Sequence, residues 1–452
     1  MTTEPHHDTA PAPSRMGKVA AGTTIGTAIE WYDYFIFGTA AALVFGRAFF
    51  PDFSPLAGTL ASFATFAVGF VARPLGAAIF GHFGDRLGRK PMMVWTLMLM
   101  GVATVLIGLL PTYDTIGIWA PILLVTLRVV QGIGVGGEWG AAALMAVEHS
   151  PPARRGFFGS LPAAGAPLGV LLSSGVFAAL SATLPAGAFD SWGWRIPFLI
   201  SAVLIGVGFW IRASVEESPV FEGAAAEKTE RSGAPLLDVL RTHPLLILAA
   251  AGTYMATAAA FYVSTTWVIS YVTTTAETHS RSTVLTVGLC VSAVSVVCNL
   301  AYGTLADRIG RRRLFFVGTI ATAAYAFPFF WLVDSGSLGL YVLALVISAI
   351  VLAAISAAVA SYFAELFPTR VRYSGVSLSF QVAAVMGGGF TPLICTALYS
   401  WVGSTWIVAA YIVALALVGL GCLLAIPRLQ AAELATDPLV VGDDLAGAKT
   451  AS

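Results

Sequence analysis

The chain has 452 residues, of which 57% are hydrophobic and only 11% charged, with a formal net charge of zero. Soluble domains carry about 25% charged residues, and a water-soluble fold of this length cannot hide so much apolar surface, even as several domains. A soluble protein is therefore excluded, and a polytopic membrane protein is expected.

Residues 1–17 are polar and Pro-rich, with His6 and His7, and read as a disordered cytoplasmic tail. No secretory leader is apparent, so the first apolar segment is expected to be retained. A helix needs about 20 residues to cross the hydrocarbon. Apolar runs between charged or Gly/Pro breaks give twelve such segments, roughly 18–48, 56–81, 91–111, 117–147, 156–183, 194–213, 244–272, 283–306, 313–333, 338–363, 374–400 and 405–426. The polar stretch 214–243, with Glu216, Glu217, Lys228, Arg231 and Arg241, splits them six and six. The expected organisation is a six-helix bundle over 18–213, a cytoplasmic loop over 214–243, a second bundle over 244–426 and a cytoplasmic tail over 427–452. With the N-terminus inside, the tails and even-numbered loops hold all Lys and Arg except Arg47, Arg73, Arg128, Arg195 and Arg281. That asymmetry predicts cytoplasmic termini. Cys290, Cys298, Cys395 and Cys422 lie in apolar segments without zinc-ligand spacing, so no metal is expected.

The first span contains "GTAIEWYDYFIFG" at 26–38. Glu30 and Asp33 fall roughly 18 and 22 Å along a helix that starts near residue 18, at mid-membrane. They share one face, with Tyr32 beside them as a candidate substrate contact. An intramembrane carboxylate costs about 2.5–3.5 kcal/mol on insertion scales, so it is expected to be protonated, paired or water-facing. In span two, "FVARPLG" places Arg73 inside the membrane, either to bind a substrate carboxylate or to pair with Glu138 or Asp85. Span four runs inward and puts Arg128 some 16 Å down, level with the carboxylates, with Gln131 one turn further on the same face. Glu138, in "GGEWG", lies nearer the cytoplasm and is expected to gate or pair. "GIGVGG" at 132–137 matches a dinucleotide fingerprint but lacks the preceding strand. Gly132, Gly136 and Gly140 instead make a close-packing face. Span seven offers Tyr254, Tyr262, Trp267 and Tyr271, as packing residues or as ligands. Asn299 and Gln381 are the clearest uncharged polar candidates in the second half. Gly387, Gly388 and Gly389 with Pro392 predict a bendable point in span eleven.

The chain contains an internal repeat. "GHFGDRLGRK" at 81–90 follows span two, and "GTLADRIGRR" at 303–312 follows span eight. Gly81, Asp85, Arg86, Gly88 and Arg89 recur as Gly303, Asp307, Arg308, Gly310 and Arg311. Glu148, Pro151 and Arg155 after span four recur as Glu365, Pro368 and Arg372 after span ten. Repeats in this parallel arrangement place substrate at the interface of two halves near mid-membrane. Asp85 and Asp307 can pair with a neighbouring Arg or a helix N-terminus, as a latch on one conformation or as plain topological anchoring.

The doubled G-x-x-x-D-R-x-G-R-[KR] pattern resembles the signature of the major facilitator superfamily. "EWYDYFIFG", "FVARPLGAAIFGHFGDRLGRK", "RVVQGIGVGGEWGAA" and "SWGWRIPF" are similar to the metabolite:proton symporter family, and "PILLVTLRVVQGIGVGGEWGAAAL" with "MGGGFTP" to its shikimate transporter branch. The resemblance implies an all-α integral membrane protein of twelve transmembrane helices in two pseudo-symmetric six-helix bundles. It implies a secondary active transporter in a bacterial inner membrane, working as a monomer without cofactor, nucleic acid or enzymatic activity. Its partners would be protons, a small metabolite and the bilayer. A first-span Asp with a fourth-span Arg is a recurrent proton-coupling arrangement in related symporters. Arg stays charged, and a carboxylate that loses such a neighbour in a dry site binds a proton. The expectation is symport of a small polar, carboxylated metabolite, shikimate-like or a dicarboxylate or oxo-acid. Asp33 and Arg128 would be the coupling pair, and Glu30 a second coupling group or a tuner of Asp33. Span five, "GFFGSLPAAGAPLGV", carries a degenerate antiporter pattern, which keeps proton-driven efflux as the alternative.

Overall fold

The computed structural model describes residues 13–436 apart from 88, 137, 149, 214–234 and 369–371. The side chains of 13–23, 81–91, 93, 141, 145, 148, 152, 186, 211–213, 235–238 and 432–436 are also outside the description. The expectations for Gly81, Asp85, Arg86, Gly88, Arg89 and Glu148 therefore fall outside the described side chains.

The described helices group into twelve spans. Span one is Pro13–Ala40, continued by a π-turn at Ala41–Phe45 and by Gly46–Phe49. Ser54 opens span two by accepting a hydrogen bond from the Ala57 N–H, with Pro55 in the first turn. That span breaks in the middle, into Pro55–Val71 and Arg73–Leu87. The cause is Pro74, which has no N–H to offer and clashes with the preceding turn. Arg73 sits at the break. Span three is Arg89–Leu109. Span four is Trp119–Val135 followed by Trp139–Glu148, interrupted at its glycine-rich stretch. Spans five and six are Arg155–Thr183 and Ile196–Ala213. A short helix, Pro235–Thr242, occupies the end of the segment expected to be a loop.

Span seven is Pro244–Thr275, with π-turns at Val263–Trp267 and Tyr271–Thr275. Spans eight, nine and ten are Arg281–Ile309, Arg311–Val333 and Leu338–Leu366. Gly310, at φ 92°, turns the chain between spans eight and nine. Nothing crowds its missing Cβ, so this repeat glycine is required for its backbone angle. Span eleven is Arg372–Ala383, a π-turn at Ala384–Gly389, and Thr391–Val402. Span twelve is Trp406–Thr436. Nine helices among the described residues are long and apolar enough to cross a membrane on their own; Val94–Leu109 and Trp119–Val135 are shorter apolar helices.

The halves meet along span five against span eight and span two against span eleven. These two contacts are related by the sequence repeat, which exchanges two with eight and five with eleven. The expected bend in span eleven is a π-turn, and its glycines serve close approach. A Cβ on Gly387 would strike the Met255 backbone, and one on Gly388 or Gly389 would strike the rings of Tyr262 or Phe70. Gly132 and Gly136 of span four likewise face the carbonyls of Gly69 and Arg73 in span two, where a Cβ would come within 2.2 and 2.0 Å.

Candidate functional site

Asp33 is fully buried in span one. Its Oδ1 accepts a hydrogen bond from Ser201 Oγ of span six at 2.5 Å, and its Oδ2 has no hydrogen-bond partner. Arg128 and Gln131 are also fully buried, and Gln131 reaches the Asp33 backbone. The direct Asp33–Arg128 ion pair is not formed in this conformation, because Gln131 stands between the two. Arg128 Nη1 donates to Gln131 Oε1. Gln131 Nε2 donates to Thr104 Oγ1 of span three at 2.8 Å and, at 3.4 Å, to the Asp33 backbone carbonyl. Arg128 Nε and Nη2 have no hydrogen-bond partner. The guanidinium instead lies over the rings of Phe37, Tyr34 and Phe66, its carbon 4.0, 4.2 and 5.2 Å from their centroids. Gly69 makes this possible, since a Cβ there would come within 2.4 Å of Arg128 Nε. Arg73, buried at the break in span two, rests on Tyr34 and Phe70, at 4.2 Å from each centroid. Glu30 and Glu138 are buried too.

A cavity between the halves lies beside this cluster. Its walls include Trp31, Trp139, Tyr254, Phe261, Tyr262 and Phe380, with Ser264, Thr265, Ser292, Ser295, Ser356 and Asn299 supplying polar atoms. Asn299 Oδ1 and the Tyr262 hydroxyl are buried without a hydrogen-bond partner, so both have capacity for a ligand. Arg73, Arg128, Gln131 and Asp33 sit one layer behind, screened by Trp31 and Tyr262. Three further expected contacts are not in the cavity wall. The Tyr32 hydroxyl donates to the Pro197 carbonyl at 2.8 Å. Trp267 donates to Thr396 Oγ1 at 3.1 Å and stacks on Tyr271. Gln381 Nε2 donates to the Gly136 carbonyl at 3.0 Å, tying span eleven to span four.

Contacts join the halves at both ends. At the repeat-motif end, Asp307 receives the Gly156 and Phe157 N–H groups at 2.7 and 3.0 Å, at the first turn of span five. It thus meets the positive end of a helix dipole. Arg311 bonds to Asp307 at 3.1 Å and to Glu365. Arg372 Nε donates to the Phe367 carbonyl at 3.3 Å, while Arg155 and Arg308 are exposed. At the other end Asp190 is paired with Arg281 at 2.8 Å and Arg47 at 3.3 Å. Neither Asp190 nor the hydroxyls of Ser201 and Thr104 were singled out from sequence. Each is a lone polar residue, and its partners are remote in the chain.

Between the cavity and the repeat-motif end, Trp139 stacks flat on Phe380, with centroids 3.5 Å apart. Next to it, a Cβ on Gly140 would come within 1.8 Å of Ser377 Oγ. Overpacking of this kind costs about 1–3 kcal/mol. Gly140→Ala is therefore expected to part spans four and eleven and favour opening at this end. Spin labels at the exposed positions 154 and 308, one on each half, should show a longer mean distance in the variant. An unchanged distance distribution would refute this.

The sugar (and other) transporter family matches residues 19–246, and the family described as Major Facilitator Superfamily matches residues 256–440. The chain belongs to the major facilitator superfamily. This transporter is 43% identical over 422 residues to the shikimate transporter of Escherichia coli (strain K12), covering 91% of this chain and 93% of that one. It is 43% identical over 382 residues to an inner membrane metabolite transport protein of the same strain, covering 83% and 86%. It is 33% identical to the proline/betaine transporter of Salmonella typhimurium, covering 90% and 82%. These matches place the transporter among relatives that include the shikimate transporter and other metabolite transport proteins. Among solved structures, a proton:xylose symporter superposes with a TM-score of 0.72 at 16% identity, over 92% of this chain and 96% of that one. At that identity the likeness establishes the twelve-helix fold. The chain is thus a membrane transporter and not an enzyme.

Proposed function

We propose that this transporter imports a small carboxylated metabolite together with protons by alternating access. Shikimate-like acids are the first class to test, and dicarboxylates or oxo-acids the second. One observation carries the reading. Asp33 is fully buried with one oxygen unpartnered, and Gln131 links its backbone to the buried cation Arg128. A buried ion pair is a weak stabilising device, so placing its two halves at the membrane centre favours a transport role. The arrangement fits a proton-loaded carrier, in which Asp33 is neutral and Arg128 is released towards the substrate. Deprotonation would draw Arg128 back to Asp33 as Gln131 swings aside. The partly unpartnered guanidinium groups of Arg128 and Arg73 supply donors for a carboxylate. Tyr262 and Asn299 in the cavity wall read the rest of the molecule. Asp307 with the first turn of span five acts as the latch that transport must break, and Arg311, bonded to Asp307 and Glu365, holds it from within the second half. The positive-charge asymmetry supports cytoplasmic termini in an inner membrane, with a monomer as the working unit and the proton gradient as the only energy source.

The test is proton movement in sealed proteoliposomes. Shikimate, 2-oxoglutarate, citrate and proline betaine are added outside one at a time while external pH is followed. Alkalinisation with a carboxylate supports symport. Acidification would mean antiport, and silence in vesicles shown to hold folded protein would reject the substrate class.

A further inference from the structure

Two buried cations share one aromatic ring. The guanidinium carbons of Arg73 and Arg128 are each 4.2 Å from the centroid of Tyr34. Arg73 comes from the proline break of span two and Arg128 from the middle of span four, and both guanidinium groups lie on Tyr34 of span one. Phe66 and Phe70 brace that ring at 5.4 and 4.9 Å between centroids. The Tyr34 hydroxyl has no hydrogen-bond partner, and neither do Arg73 Nε and Arg128 Nε and Nη2. A ring face attracts a guanidinium through its quadrupole, most strongly where water is excluded. It leaves the N–H donors unused, and those donors match the two oxygens of a carboxylate.

Tyr34 also packs behind the cavity wall, where Arg73 lies over the ring of Trp31 at 5.9 Å. Trp31 meets Tyr34 edge-on at 6.2 Å. Tyr262 of the same wall packs on Phe66 and Phe70 at 5.7 and 5.4 Å. Tyr34 follows Asp33 directly in the chain, and Gln131 touches both Arg128 and the Asp33 carbonyl. A movement of the ring is therefore felt at the proton site.

We infer that Tyr34 is a positioning residue whose ring holds Arg73 and Arg128 in place of the substrate carboxylate, which displaces the ring when it binds. The inference rests on the carboxylate reading above. A ring that competes with the substrate weakens binding, yet it allows the carrier to return without two bare buried cations. Removing the ring separates these effects. Tyr34→Leu should lower KM for shikimate about tenfold and lower kcat by a similar factor, while Tyr34→Phe, which keeps the ring, should behave as wild type. A merely structural side chain would instead raise KM and lower kcat together.

The experiment has two arms. Uptake of shikimate by proteoliposomes of wild type, Tyr34→Phe and Tyr34→Leu gives the KM and kcat split. Thermal melting of the purified proteins, each with Arg128 and with Arg128→Gln, tests the ring's hold on the cation without any substrate. The expected result is a lower melting temperature for Tyr34→Leu only where Arg128 is present. Additive melting shifts would overturn the inference, as would an unchanged or raised KM in Tyr34→Leu, or a Tyr34→Phe that fails like Tyr34→Leu. If wild-type vesicles ignore shikimate while the melting shifts are non-additive, the substrate reading fails and the hold of Tyr34 on Arg128 stands.

Discussion

Asp33→Asn proteoliposomes should equilibrate substrate across the membrane but not concentrate it. Asn keeps the shape of the carboxyl group and can still bond to Ser201, so the fold of span one against span six is retained. It cannot take or release a proton. The coupling step is lost, and Arg128 has no carboxylate to return to. Counterflow, in which labelled substrate exchanges against unlabelled substrate, needs only the loaded carrier and should persist. The check is a pair of assays on the same vesicles, uptake driven by an imposed pH gradient and counterflow without one. Loss of the first with survival of the second is the expected outcome. Full gradient-driven accumulation in Asp33→Asn would move the proton site to Glu30, which is buried one helical turn away.

Arg128→Lys should lower kcat/KM by about 100-fold, although the charge is kept. Loss of a charge-assisted hydrogen bond costs about 1.5–3 kcal/mol, and one factor of ten is about 1.4 kcal/mol. The site is shaped for a planar fork. Gly69 leaves room for Nε, Phe37, Tyr34 and Phe66 lie against the guanidinium, and Gln131 takes one nitrogen. A lysine ammonium is a compact, strongly hydrated point charge that cannot fill this shape or offer two parallel donors. Initial uptake rates over a range of substrate concentrations decide the matter. A variant within threefold of wild type would show that only the charge of Arg128 matters. Gly69→Ala acts on the same contact from the other side and should lose activity in the same direction.

That Asp33 and Arg128 come near each other along their spans was readable because a helix rises by a constant step per residue. Their separation by Gln131 was not, because it depends on how spans one and four are rotated against each other. Ser201 and Thr104 escaped notice for a related reason. A single hydroxyl in an apolar span commonly bonds back to its own helix, as Thr104 also does to the Met100 carbonyl. Tyr32, Trp267 and Gln381 were attractive as polar atoms in apolar surroundings, yet each spends its donor within the protein. The close approach of Gly132 and Gly136 was legible from their four-residue spacing, whereas Gly140 lies beyond the interruption of span four and meets Ser377 of span eleven instead.

Span number, the two halves and the repeat are properties of local sequence. Burying apolar runs in lipid leaves the backbone no choice but helix, and the Asp-Arg-Gly-Arg loops recur at matched places in both halves. Which side chains meet across the halves is set by features that act at a distance. The proline break before Arg73 and the π-turns of spans one, seven and eleven rotate the helix beyond them. Close glycine contacts then choose the neighbour. The sharing of Tyr34 by two arginines follows from those rotations, which no short stretch of the chain encodes.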